Sequence, residues 1–333
     1  MGSVLLLGAG FSKNWGAPVA SEFLGQLLAD HEIQQNFPMR NLLWDKQNNF
    51  EEALNLLQQN YQRDRDANRE QLQLFFRAML RIFDRMTTIF HRQQLDLQQD
   101  TFYEDRSRRV VEFLAQFDAI FTLNQDLLLE IHYFDHAHNM TTNRRWSGSN
   151  MPGMASKETV QQNRPWSGRT WIPDGDVQVK SNTQPYFKLH GSRNWRSADN
   201  SEDIIIMGGG KDAAIRQFPV LQRYQDYFAE YITPPSTRVV VIGYGFGDDH
   251  INKVLRTGVE DNGLKMYVID PLGAGLAYER NPIHKNQIIG PRFTELETWF
   301  QKGLYSASTI PFRQLLIGES VDREVLLNFM SGK

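Results

Sequence analysis

Five apolar runs of this chain end in residues equipped for chemistry. Gly8-Ala9-Gly10-Phe11-Ser12 follows the run 4–7, and Asn124-Gln125-Asp126 follows 118–123. His190-Gly191-Ser192 closes 185–190, Gly243-Tyr244-Gly245 follows 238–242, and Asp270 closes 264–270. Glycine lets the backbone turn sharply and approach a bound group. A strand, a glycine turn and a helix start can therefore seat a dinucleotide pyrophosphate. A carboxylate at a strand end can accept hydrogen bonds from ribose hydroxyls. The imidazole of His190 can serve as a general base near neutral pH; Asn124 does not titrate but can orient a water or a sugar hydroxyl. Gly8-Ala9-Gly10 is only the first half of a GxGxxG pattern, because Lys13 fills the slot of the third glycine.

The elements that must position these residues are legible in the hydrophobic pattern. Short buried strands are predicted at the five runs and at 202–207, alternating with helices. That alternation predicts an α/β fold, with a mainly parallel sheet, helices on both faces and ligands at the C-terminal strand ends. Phe37-Pro38 reads as a break. Residues 39–116 contain no glycine or proline and read as helical almost throughout. The block 36–116 lies between the first two strands and is read as a large helical insert in a single domain, 1–333. Within it, 68–92 carries apolar residues at spacings of three and four, including Phe75, Met79, Phe83, Met86, Ile89 and Phe90. Packing inside the domain is the first use of that stripe, and an oligomer contact the second. Residues 136–184 scatter Trp, Gly and Pro among polar residues and read as an irregular, lid-like segment. A helix over 213–231 should be kinked or interrupted at Pro219.

Composition excludes several classes. With 41% hydrophobic residues the chain of 333 can bury a core, and its net charge of -3 supplies no basic field for nucleic acid. The absence of cysteine removes disulfides, thiolate zinc sites and cysteine nucleophiles together. No run of about 18 apolar residues is present, so neither a membrane span nor a secretory signal is expected, and a cytoplasmic location is. His132, His136 and His138 could share a metal by spacing, but no metal is expected there. Gly208-Gly209-Gly210-Lys211 lacks the spacing of a phosphate loop and is read as a turn.

Gly8-Ala9-Gly10-Phe11-Ser12, Leu123-Asn124-Gln125-Asp126, Lys188-Leu189-His190-Gly191-Ser192 and Val241-Ile242-Gly243-Tyr244-Gly245 resemble the sirtuin motifs, in the sirtuin order. The chain resembles the bacterial sirtuin-like proteins of anti-phage defence more than the deacylases, on the Leu-His-Gly-Ser-x-Asn-Trp form at 189–195. The resemblance covers about residues 1–30, 118–135, 185–210 and 238–271. It implies a sirtuin-like Rossmann fold that binds NAD+ and cleaves the bond between nicotinamide and ribose. By resemblance, Gly8, Ala9, Gly10, Phe11 and Ser12 would cradle the phosphates. Asn124 and Asp126 would line the nicotinamide and ribose side, with His190 as base. Gly243, Tyr244 and Gly245 would close over the pyrophosphate and adenosine, and Asp270 would lie near the adenosine ribose.

Two departures shape the expected activity. Deacylases carry Gly-Ile-Pro-Asp-Phe-Arg where this chain has Gly16-Ala17-Pro18-Val19-Ala20-Ser21. They also carry a four-cysteine zinc module, which a chain without cysteine cannot build. Water is then the expected acceptor, giving an NAD+ glycohydrolase that yields nicotinamide and ADP-ribose and depletes NAD+ in abortive infection. The alternatives are an NAD-dependent deacylase or ADP-ribosyltransferase, or a non-catalytic NAD or ADP-ribose sensor. Such an activity needs control, so a homo-oligomer, or a partner ATPase or guide-binding protein, is expected.

Overall fold

The computed structural model describes residues 2–46, 50–96, 108–134, 145–158, 165–280 and 293–332. The apolar runs become strands buried on both sides. In β1 (Ser3–Leu7), Val4 to Leu7 are all 0% exposed. After it come the helices α1 (Ala9–Lys13), α2 (Ala20–Leu28), α3 (His31–Gln35), α4 (Phe37–Asp45), α5 (Phe50–Arg63), α6 (Arg65–His91) and α7 (Val110–Leu114). Then follow β2 (Ala119–Thr122), α8 (Leu128–His132), β3 (Gly148–Asn150), β4 (Met154–Ser156), β5 (Trp171–Pro173), β6 (Thr183–Lys188), β7 (Gly191–Arg196) and β8 (Asp203–Ile205). The chain continues through α9 (Lys211–Ile215), α10 (Pro219–Ile232), β9 (Arg238–Ile242), α11 (Asp249–Asn262), β10 (Lys265–Ile269) and α12 (Leu276–Glu279). It ends with α13 (Glu295–Gly303), β11 (Leu304–Ser308), α14 (Phe312–Ile317) and α15 (Val321–Ser331).

Seven strands form one sheet in the order β11-β10-β9-β1-β2-β6-β3, and every neighbouring pair is parallel. Winding runs outward from β1 through β2 and β6 on one side, and through β9, β10 and β11 on the other. The order therefore reverses between β1 and β9, the place where a doubly wound sheet leaves a crevice at its C-terminal edge. A second sheet, β4-β5-β7-β8, includes two antiparallel pairs. The strand after residue 202 belongs to it.

Glycine has a specific task at the reversal. The Gly8 N–H donates to the Ile242 carbonyl and the Gly10 N–H to the Gly243 carbonyl, both at 3.0 Å. A Cβ on Gly8 would sit 2.5 Å from the Gly243 oxygen, and one on Gly10 2.6 Å from the Gly243 Cα. Gly243 itself has φ +64, where side chains are strained. These glycines let two loops lie backbone on backbone, and their N–H groups are already taken by the carbonyls of Ile242, Gly243 and Ile269.

The helices correct several expectations. Pro38 lies in the first turn of α4, capped by the Asn36 side chain on the Met39 N–H at 3.0 Å, so the expected break is a helix start. The expected interruption at Pro219 is present: α9 ends at Ile215, and Pro219 opens α10. A short helix, α1, begins at Ala9, directly after the first glycine, ahead of α2. In α6, Phe75, Met79, Phe83, Met86 and Phe90 are buried as the periodicity predicted, while Ile89 is exposed and Leu74, Ala78 and Ile82 complete the face. Over 136–184 the described residues carry β3, β4 and β5 as well as irregular chain. Of the three histidines whose spacing could share a metal, His136 and His138 lie outside the described residues, and His132 Nε2 sits 2.9 Å from the Phe90 carbonyl. No helix of the described residues is long and apolar enough to cross a membrane.

Replacing Gly243 by Ala should cost roughly 2–3 kcal/mol, because a left-handed residue is strained and its Cβ meets the Gly10 backbone. Urea unfolding checks this; an unchanged midpoint would refute the contact.

Candidate active site

The C-terminal ends of β1, β2, β6 and β9 open on one cavity of about 490 Å³, within the usual range for a small-molecule site. Gly8, Ala9, Ser12, Asn124, Gln125, Asp126, His190, Gly243, Tyr244 and Gly245 line it. Asn124 and His190, far apart in the chain, thus face the same space. Phe50 and Glu51 of α5 and Phe83 and Met86 of α6 also line the cavity, whereas no described residue of 145–184 does. The helical block therefore supplies the wall that the lid-like segment was expected to give.

Three residues expected at the cofactor lie outside that wall. Gly10 packs on Gly243. Phe11 is buried among Trp15 and Phe312, with ring centroids 5.0 and 5.6 Å away. Asp270 accepts the Leu272 N–H at 2.9 Å, holding the turn after β10. Lys13, in the slot of the missing glycine, pairs with Glu22 on the surface.

Asn124 is held at its post by the first turn. Its amide donates to the Gly8 carbonyl at 3.0 Å and to Ser12 Oγ at 3.1 Å, while its N–H binds Thr122 Oγ1. Oδ1 is the atom left for the cavity. Asp126, whose charged form Ser12 favours, accepts the Leu128 N–H at 3.0 Å and so starts α8. Burial pushes the Asp126 carboxyl up, against the lowering effect of Lys188. Lys188 is a residue whose role the sequence did not announce. Fully buried, it donates to the Asp126 carbonyl at 2.5 Å and to Glu130 at 2.7 Å, tying the loop after β2 to β6. Breaking such a pair strands a charge, so Lys188→Met should destabilise by about 3–5 kcal/mol.

His190 stands where the chain leaves the main sheet for the second one. Gly191 makes that step at φ +74, and a Cβ there would collide with the Ile204 carbonyl. The His190 carbonyl accepts the Ile206 N–H at 2.9 Å, which fixes the turn. Only 2% of His190 is exposed, and burial pushes its imidazole down to about 3, so the ring is neutral at pH 7. Its Nε2 lies 2.9 Å from Nε2 of His250, near the start of α11.

Charges around this pair were also missed. Lys211 bridges Asp248 at 2.7 Å and Glu51 at 3.0 Å, joining α9, α11 and the helical block at the cavity edge. Glycines 208 and 209 bring this loop against α5, where a Cβ would strike Leu54, Gln58 or Asn55. Lys211, Asp248 and Arg280 all line the cavity. The Arg280 guanidinium lies so close over Gly245 that a Cβ there would meet it at 2.5 Å. The donor atoms of His190, His250 and Asp248 lie within 4.8 Å of one another, a spacing open to a cation. Lys211 already supplies the cation to Asp248, and the two imidazoles are at hydrogen-bond distance, so the group reads as an ion-pair and hydrogen-bond network.

A doubly wound parallel sheet with glycine loops at its reversal, above a polar cavity, defines a Rossmann-type nucleotide-binding protein. The chain belongs to the family of the SIR2-like domain, whose model matches residues 118–289. No curated protein matches it. SIR2-like domains bind NAD+. The matched span contains Asn124, Asp126, Lys188, His190, Lys211, Asp248, His250 and Arg280, and begins after the first glycine turn.

His190 also gives a pH prediction. Its folded pKa lies below the ordinary 6.5, so between about pH 6.5 and 3 the unfolded chain binds the extra proton. Stability through this group is complete above pH 6.5 and falls on acidification, by up to about 1.4 kcal/mol per pH unit. Urea titrations should show a shallower acid loss in His190→Gln than in the wild type; parallel slopes would refute the burial effect.

Proposed function

We propose that the chain is an NAD+ glycohydrolase that splits NAD+ and water into nicotinamide and ADP-ribose. The observation that carries this is the shared cavity of Asn124 and His190 at the sheet reversal, beside the glycine loops. As neutral nicotinamide leaves, positive charge grows on the sugar carbon. Asn124 Oδ1 would hold a water or ribose hydroxyl against it, and His190, neutral at pH 7, would accept a proton. Asp126 would face the ribose, and Tyr244 and Gly245 would border the pyrophosphate. Arg280, the cation over that loop, would meet its charge.

Phe50 and Phe83 from the helical block support water as acceptor, because they wall the cavity where a peptide would otherwise approach. By its resemblance to sirtuin-like defence proteins, the enzyme would drain cellular NAD+ during phage infection. Restraint until then would come from self-assembly or from a partner ATPase or guide-binding protein.

With enzyme in excess over NAD+, product analysis should show nicotinamide and free ADP-ribose. His190→Ala and Asn124→Ala should each lower the rate by about 10²–10³-fold with NAD+ binding kept. Arg280→Ala should raise KM by roughly tenfold through loss of a charge-assisted contact. Products linked to protein, or turnover only with an acylated peptide, would reject the proposal, as would NAD+ binding without cleavage.

A further inference from the structure

Hydrolysis of NAD+ releases a proton. The glycosidic electron pair neutralises the nicotinamide ring, the water oxygen bonds to the sugar carbon, and one of its two protons has to leave. His190 is the candidate base, yet it lies almost wholly buried, and that burial opposes a lasting charge on its ring. The ring behind it is placed to take that proton onward. His250 does not line the cavity; its Nε2 meets His190 Nε2 at 2.9 Å, and its Nδ1 lies 3.7 Å from an Asp212 carboxylate oxygen. The Asp212 side chain is 61% exposed. A separation of 3.7 Å lies just beyond a direct hydrogen bond, and a small movement of the exposed Asp212 side chain closes it.

We propose, building on the hydrolase reading, that His250 and Asp212 form a proton exit, through which the proton taken up by His190 leaves the cavity for solvent. His190 accepts the proton on Nδ1, the nitrogen not engaged by its partner, and passes its Nε2 proton to Nε2 of His250. His250 then releases its Nδ1 proton toward Asp212. Each ring gains one proton and loses one, so neither stays charged; both end in the opposite tautomer, and the starting tautomers are restored by proton exchange with solvent once the products have left. The surrounding charges suit a passage and not a trap. Asp248 favours a cationic ring on both histidines, Lys211 opposes it on both, and Asp249 and Asp212 add attraction on the outer ring alone. Glu51 holds Lys211 in place from the helical block. The gradient of negative charge runs from the cavity toward the surface.

His250 does not touch the sugar, so it is a positioning and relay residue. A mere buttress would be preserved by His250→Gln, whose amide oxygen can still accept the His190 Nε2–H. A relay would not, since an amide does not pass a proton on. The expected result is a kcat lowered by roughly 10–100-fold in both His250→Gln and His250→Ala, with KM unchanged. Added imidazole should restore turnover in His250→Ala and not in His250→Gln. Asp212→Asn, on the surface, should make the rate depend on buffer concentration. A wild-type rate in His250→Gln, or no rescue of His250→Ala by imidazole, overturns the relay while leaving the hydrolase standing. Absence of nicotinamide from the wild type in single turnover overturns both.

Discussion

Gly10 and Gly243 place the loops after β1 and β9 backbone against backbone, at the one point where the winding of the sheet reverses. Any side chain at either position would wedge the loops apart. With them closed, the first loop offers the Gly8 carbonyl and Ser12 hydroxyl at fixed positions, and these hold Asn124. Asn124 in turn stands at the end of β2, next to the strand that delivers His190. The cavity therefore follows from loop closure. It is not a groove left by imperfect packing.

Charge burial below the cavity is the second support. Lys188 and Glu130 are enclosed together, and such a pair gives little net stability over apolar residues of the same shape. Its effect is positional: it fixes the Asp126 carbonyl and hence the loop that carries Asn124. On the opposite wall, Lys211 links Asp248 of the nucleotide side to Glu51 of α5. The helical block is thereby tied electrostatically to the same cluster that surrounds His190. A shift of α5 would change both the enclosure of the cavity and the field at the imidazole.

Much of the fold was readable in advance because it is written locally. Val4 to Leu7 and residues 239–242 are apolar without alternation, as doubly covered parallel strands must be, and the glycines stand at their ends. The Asn124, Asp126 and His190 positions were legible for the same reason. Pro38 misled, since it stands in the first turn of a helix although the same residue ends helices elsewhere, whereas Pro219 does separate two helices. β11, with the sequence Leu-Tyr-Ser-Ala-Ser, has no apolar run and exists only because β10 offers an edge. Lys188, Lys211, His250 and Arg280 acquire meaning from partners distant in the chain, and periodicity carries no information about such pairs. Asp248-Asp249-His250 did present an acidic and an imidazole group just after a glycine turn, a local signal for the site.

The central claim is that one dinucleotide lies across the closed glycine loops with its nicotinamide ribose between Asn124 and His190. A crystal structure with a carbocyclic NAD+ analogue, which keeps the shape but cannot be cleaved, tests it most directly. The account predicts the diphosphate beside Gly245 and Arg280 and the nicotinamide-bearing ring within hydrogen-bond reach of both Asn124 and His190. A dinucleotide in the reverse orientation, with adenosine against His190, or one bound outside this cavity, would contradict it.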